Sequence, residues 1–209
     1  PLDNKNLRKA LSLAINRDEL TKHVTKGGQI PAGCFTPYNT AGYSFDTVLS
    51  FNPSEAKRLL AEAGFDNKNP VPALSLLYNT SESHHTIAQA IQQMWKEHLG
   101  IEVTLINQEW KVYLSSTNTK DYEIARMGWV SDYNDPNSFL DLWVTESGNN
   151  RTGWSNRAYD SLIDAASRTS DQSIRYKYFR EAESVLMDEL PIIPIYFYTN
   201  VYLLHPSVK

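Results

Sequence analysis

The residues best suited to chemistry cluster in Ala125-Arg126-Met127-Gly128-Trp129-Val130-Ser131-Asp132-Tyr133-Asn134-Asp135-Pro136, where a cation and an anion stand six positions apart around a glycine. Tyr122 to Val130 has the aromatic and β-branched bias of a strand. Asp135 followed by Pro136 reads as an N-cap and first-turn proline for a helix through Leu142. Asp132 then falls in a strand-to-helix turn, the part of an open α/β sheet that lines a ligand crevice, and Gly128 offers a backbone that a ligand can approach. Strand alternation puts Arg126, Gly128, Val130 and Asp132 on one face, with Met127, Trp129 and Ser131 on the other. Each residue also has a plainer reading. Asp132 could only cap its own turn, Arg126 could serve a structural ion pair, and Trp129 could belong to the core. Tyr133 could simply stack on the following helix.

These residues need a frame to hold them. Asp3 precedes a helical face of Leu7, Ala10, Leu11 and Ala14, and a second short helix is expected from Arg17 to about Lys26, stopped by Gly27-Gly28. From Gln29 to Phe51, prolines, glycines and the aromatics Tyr38, Tyr43 and Phe45 describe a long ordered loop. Asn52-Pro53-Ser54-Glu55 starts a helix that Gly64 ends. Leu74 to Tyr78, Ser83 to Leu99 and Ile101 to Asn107 read as strand, helix and strand, a β-α-β unit. A short helix from Trp110 to Thr117 leads to the Tyr122 strand. Helices near Asn156 to Arg168 and Asp171 to Leu190 come later, Pro191 ends helical structure, and Ile192 to Tyr198 and Val201 to Leu204 form two last strands. Such alternation predicts an α/β domain, a mixed sheet flanked by helices, in one unit over residues 1–209.

Composition narrows the function. The chain has 209 residues, 41% of them hydrophobic, which is enough for a substantial core. With 20 basic against 24 acidic residues and no dense run of either sign, nucleic acid is not an expected partner. Cys34 is the one cysteine, so neither an internal disulfide nor a thiolate metal site can form. His84 and His85 are adjacent, and on a helix they point about 100° apart, which disfavours chelation of one metal. No metal, cofactor or catalytic residue is expected: Gly-x-Ser-x-Gly, His-Glu-x-x-His and Gly-x-x-x-x-Gly-Lys are all missing. No apolar stretch approaches the roughly 20 residues needed to cross a bilayer.

The Ala125 to Pro136 run resembles the matching segment of oligopeptide-binding proteins of bacterial ABC importers. So do Leu7-Arg8-Lys9-Ala10-Leu11-Ser12-Leu13-Ala14-Ile15-Asn16-Arg17, Glu55-Ala56-Lys57-Arg58-Leu59-Leu60-Ala61-Glu62-Ala63-Gly64-Phe65 and Asn107-Gln108-Glu109-Trp110, in the same order. The family is the extracellular solute-binding proteins, family 5. The resemblance implies the C-terminal lobe of a type II periplasmic-binding-protein fold, excised from a two-lobed protein whose N-terminal lobe is missing. It also implies a periplasmic or envelope-anchored location, short peptides as ligand and ABC importer membrane subunits as partners. On this reading Asp132 pairs with the peptide ammonium. Arg126, at most about 20 Å away along an extended strand, faces the carboxylate. Main-chain groups of Gly128 and Val130 would bond a peptide running antiparallel to them. The family pattern makes His84 a second contact for the carboxylate end, with an idle exposed histidine as the plainer reading. Trp110 would wall a side-chain pocket unless it only packs its helix. Asn79 is a candidate for bonding peptide amides unless it caps a helix; Trp129 and Tyr133 complete the set.

Rival readings stay in view. Within the family the solute could be a dipeptide, murein peptide, nickel complex, haem or sugar. Outside it, Ser131, His84 and Asp132 could form a hydrolytic set, or exposed aromatics of the Gln29 to Phe51 loop could make an interaction module.

Overall fold

The computed structural model describes residues 1–47, 49–199, 203, 204 and 207. Helix α1 (Lys5–Leu13) is capped by Asn4 rather than by Asp3, because the Asn4 Oδ1 accepts the N–H groups of Asn6 at 2.9 Å and Leu7 at 3.3 Å. Its expected face, Leu7, Ala10, Leu11 and Ala14, is buried. Helix α2 (Arg17–Glu19) continues as a wider π-wound segment from Leu20 to Thr25. The expected stop at Gly27-Gly28 comes one residue early: Lys26 itself turns left-handed at φ 54°. The Gln29 side chain holds that turn, its Oε1 bonded to the Gly27 N–H at 2.9 Å and the Thr25 hydroxyl at 2.8 Å.

After strand β1 (Ile30–Pro31), the long loop to Phe51 is pinned from inside. Tyr43 and Phe45 are buried, as is Cys34; of the three aromatics read in this loop, only Tyr38 is exposed. That removes the surface an aromatic interaction module would need. Helix α3 (Pro53–Glu62) starts on Asn52 and gives way to Gly64 at φ 87°.

Strand β2 (Leu74–Asn79), helix α4 (Glu82–Leu99) and strand β3 (Val103–Gln108) form the expected β-α-β unit. β2 and β3 run parallel, with Leu74 opposite Val103 and Asn79 opposite Gln108, and α4 supplies the crossover such a pair requires. Trp95 on α4 is buried against α1, its indole N–H donating to the Leu11 carbonyl at 2.8 Å. Helix α5 (Trp110–Thr119) leads to β4 (Ile124–Ala125) on the other side of β2.

The strand expected from Tyr122 to Val130 is therefore only two residues long. Ile124 and Ala125 pair with Leu76 and Leu77, and the Arg126 N–H reaches the Leu77 carbonyl at 2.7 Å. There the ladder ends, because the Tyr113 hydroxyl takes the Arg126 carbonyl. Beyond that point the chain runs free of the sheet, and the alternation read from the sequence no longer decides which way its side chains point.

Helix α6 (Asn137–Leu140) tightens into a single turn over Asp141–Trp143, so the helix expected through Leu142 is short and closes as a 3₁₀ turn. Helices α7 (Arg157–Ser167) and α8 (Gln172–Glu189) follow as expected and build a second core with the loop after β1. Strand β5 (Tyr196–Phe197) pairs antiparallel with β1. Both strand directions are thus present, in two separate sheets: parallel β3-β2-β4 and antiparallel β1-β5. Of the last expected strand, Val201 and Tyr202 lie outside the described residues, and Leu203 and Leu204 are not in a strand. Arg8 and Arg17 tie the cores together: Arg8 Nε donates to the Glu189 carbonyl at 2.9 Å and Arg17 Nε to the Pro194 carbonyl at 2.8 Å.

Candidate ligand-binding site

Between the two cores lies a cavity of about 830 Å³, and the free-running segment after β4 forms one wall. Arg126, Gly128, Trp129, Val130 and His84 line it; Asp132, Tyr133, Asn79 and Trp110 do not. The segment is held at both ends. Arg126 is fixed by Leu77 and Tyr113, and the Asp132 N–H donates to the Ser138 hydroxyl at 3.1 Å. Between them the N–H groups of Met127, Gly128, Trp129, Val130 and Ser131 have no hydrogen-bond partner among the described residues.

Asp132 is exposed, directly after Ser131 on the cavity wall. No cation among the described residues pairs with it. Its charge is felt nearby: burial raises the Asp141 carboxyl above its ordinary range, and Asp132 pushes it the same way. Two carboxylates at this corner make a place where a cation is welcome.

At the opposite end Arg126 donates to the Tyr198 hydroxyl. A structural ion pair, the plain reading for this arginine, is absent among the described residues. Burial lowers the pKa of His84 and the Arg126 charge lowers it further, while the Asn79 backbone works against both. Its Nδ1 is buried without a partner, so His84 is not the idle surface histidine of the plain reading. His85 is occupied, its Nδ1 lying 2.6 Å from the Tyr78 hydroxyl.

Gly128 answers a close approach, but from within the chain. A Cβ there would stand 2.6 Å from the Tyr198 hydroxyl and 3.3 Å from Arg126 Nη2. Val130 is 76% exposed, whereas Trp129 packs into the second core with its indole N–H on the Ser138 carbonyl at 2.7 Å. Trp129 is therefore both core and cavity wall. Trp110 does not pack inward: it is 52% exposed and stacks on Tyr113 at 5.6 Å. Tyr133 is exposed and its hydroxyl accepts from Asn137, so it leans on α6. Asn79 does not cap α4, whose N-cap is Ser81; its Oδ1 is buried and unpartnered, as is the Oε1 of Gln108 opposite it.

The turn bearing Asp132 is braced from outside. Arg175 on α8 grips Asp135 with two bonds of 2.6 and 2.8 Å, and Asn134 Oδ1 accepts the Ala41 N–H at 3.0 Å. Asp135 also accepts the Asn137 N–H at 2.8 Å, although the N-cap of α6 is Pro136 and not Asp135 as the sequence suggested. Burial would raise the Asp135 pKa, but the Arg175 and Asn137 bonds outweigh it and the net shift is downward. A depressed folded pKa contributes stability that is present above the unfolded value, near 3.9, and lost as pH falls through the folded one. The turn should accordingly stay closed at neutral pH and loosen only in acid. NMR titration of Asp135 should show a midpoint below that of an unfolded aspartate, and Arg175→Ala should move it upward.

Four residues of this site carried no signal in the sequence: Tyr113 and Tyr198, which hold Arg126, and Trp143 and Arg151 on the cavity wall. Tyrosine, tryptophan and arginine singly placed in helices and loops look alike whether or not they face a cavity.

Residues 1–151 match the family described as bacterial extracellular solute-binding proteins, family 5 Middle. The oligopeptide-binding protein OppA of Bacillus subtilis is 38% identical over all of this chain and 40% of its own length. The Escherichia coli murein tripeptide binding protein MppA superposes with a TM-score of 0.91 at 40% identity, covering 96% of this chain and 40% of that one. OppA of Haemophilus influenzae in complex with the peptide RPPGFSPFR gives 0.89 at 37% identity, over 95% of this chain and 40% of that one. The chain thus spans about two fifths of the length of these relatives, and its α/β fold is that of a lobe of such periplasmic binding proteins. It belongs to the bacterial extracellular solute-binding proteins of family 5.

Proposed function

We propose that residues 1–209 form the C-terminal lobe of a two-lobed, type II periplasmic binding protein that delivers short peptides to an ABC importer. The observation that carries this reading is the open main chain from Met127 to Ser131, which runs along a cavity wall with Arg126 before it and Asp132 after it. A peptide laid antiparallel against it would bond the Gly128 and Val130 backbones, put its ammonium at Asp132 and its carboxylate towards Arg126 and His84. Trp129 would wall the space beside the peptide, whereas Asn79, Tyr133 and Trp110 lie off the cavity and are left without a contact in this arrangement. Main-chain recognition of this kind is indifferent to sequence, which suits a nutrient scavenger. The relatives named periplasmic make the periplasm or the outer face of the cell envelope the expected location. The match to a family of solute-binding proteins supports binding over catalysis as the role of this chain.

Calorimetry on the full-length protein tests this. A free-amine tripeptide should bind, and its N-acetylated form should bind about 30-fold more weakly, the loss of about 2 kcal/mol expected when one member of a desolvated charge pair is removed. Equal affinities would reject the assignment of Asp132.

A further inference from the structure

Three guanidiniums line the cavity, those of Arg8, Arg126 and Arg151, and the last is only half used. Its Nη1 donates to the Thr117 hydroxyl at 3.2 Å, and that hydroxyl passes its own proton to the Leu114 carbonyl at 3.2 Å. Nε is buried with no partner, and Nη2 has none among the described residues. Nε–H and Nη2–H point the same way from a guanidinium, and together they form the edge that takes a carboxylate through two parallel bonds. The bond to Thr117 holds the opposite side of the group, and this edge is left without an acceptor.

Nothing on the wall neutralises it. The Glu123 carboxylate accepts the Ser75 N–H at 2.6 Å and the Ser75 hydroxyl at 2.7 Å, and Asp3 lies by Arg8. A second orphan donor is on the same cavity, the buried indole N–H of Trp143. Asn150 connects the two, since its Nδ2 donates to the Trp143 carbonyl at 3.2 Å and its own carbonyl carbon is bonded to the Arg151 nitrogen. Burial raises the pKa of Tyr113, and the charges of Arg126 and Arg151 both lower it. Buried donors without acceptors cost free energy unless a ligand completes them.

We infer that Arg151 forms a second anion subsite, which receives an acidic side chain of the bound peptide while Arg126 faces its terminal carboxylate. This rests on the peptide-binding reading above and adds a preference to it: the main chain is held without regard to sequence, but one side-chain position favours Asp or Glu over a neutral residue of the same shape.

The test uses the full-length protein and the tripeptides Ala-Ala-Ala, Ala-Glu-Ala, Ala-Gln-Ala, Ala-Ala-Glu and Ala-Ala-Gln. Calorimetry should give one of the glutamate peptides at least ~10-fold tighter binding than its glutamine counterpart, as a charge-assisted bidentate contact allows. Arg151→Gln should erase that preference while leaving Ala-Ala-Ala within about threefold of wild type, and Arg151→Lys should recover part of it, keeping the charge but not the fork. Equal binding of glutamate and glutamine peptides by the wild type would overturn the subsite. So would a preference that survives in Arg151→Gln, or a loss in that variant of the same size for every peptide, which would mark the residue as structural. If no peptide of the set binds the wild type, the peptide-binding reading itself fails and takes the subsite with it.

Discussion

Glu183→Ala should lower the stability of the fold by about 3–5 kcal/mol, the cost expected when one side of a buried, fully bonded charged group is deleted. Glu183 sits in the middle of α8 and is completely buried. Its Oε1 accepts the main-chain N–H of Phe35 at 3.0 Å and of Thr36 at 2.8 Å, and its Oε2 accepts the Tyr43 hydroxyl at 2.8 Å. Burial raises its pKa, and these donors pull the other way. The carboxylate is thus the internal anchor of the loop from Gln29 to Phe51, and alanine would strand all three donors inside the second core. Glu183→Gln keeps the shape and one acceptor oxygen and should cost roughly a third as much, in the range of a single net hydrogen bond of about 1–2 kcal/mol. Chemical denaturation of the three proteins measures this directly; an alanine variant within about 0.5 kcal/mol of wild type, the range of an ordinary surface change, would show that the loop is held by other contacts.

The second large effect is on binding. Asp132→Ala in the full-length protein should weaken free-amine peptides by about 2–4 kcal/mol, ~30- to 1000-fold, because it deletes the anion that meets the ammonium. The same change should leave stability within about 0.5 kcal/mol, since the side chain is exposed and its carboxylate holds nothing in the fold. A cycle with acetylated peptide isolates the pair: if the ammonium is the partner, acetylation should cost the wild type heavily and Asp132→Ala very little. Comparable losses for free and acetylated peptides in the variant would place the ammonium elsewhere. The prediction also depends on Arg175, whose double bond to Asp135 keeps the Asp132 turn in place.

Local signals were legible wherever a residue type acts on its own neighbours. Asn52-Pro53 and Gly64 bound α3, Gly100 ends α4, and the β-α-β unit falls within a residue or two of the positions its periodicity indicates. The cluster from Arg126 to Asp132 was legible as a site because charge, glycine and turn residues coincide there. What misled was strand length. The aromatic and β-branched run to Val130 has the composition of a strand, yet a strand also needs a partner, and the Tyr113 hydroxyl takes the Arg126 carbonyl before the ladder can continue. Trp129 and Val130 still lie on the opposite sides read for them, Trp129 against the core and Val130 at the surface.

The sequence alone determined the helices, their caps, the crossover unit and the family, because each of these rests on spacing along the chain or on residues close together in it. Only the tertiary structure decided that the main chain after Arg126 stays unpaired, that Glu183 anchors a loop some 140 residues away through its bond to Tyr43, and that Arg151 lines the cavity of Arg126 with its Nε unpartnered. Those facts depend on which distant groups claim a donor or acceptor first, and hydrogen-bond competition across a folded core leaves no periodic trace in the order of residues.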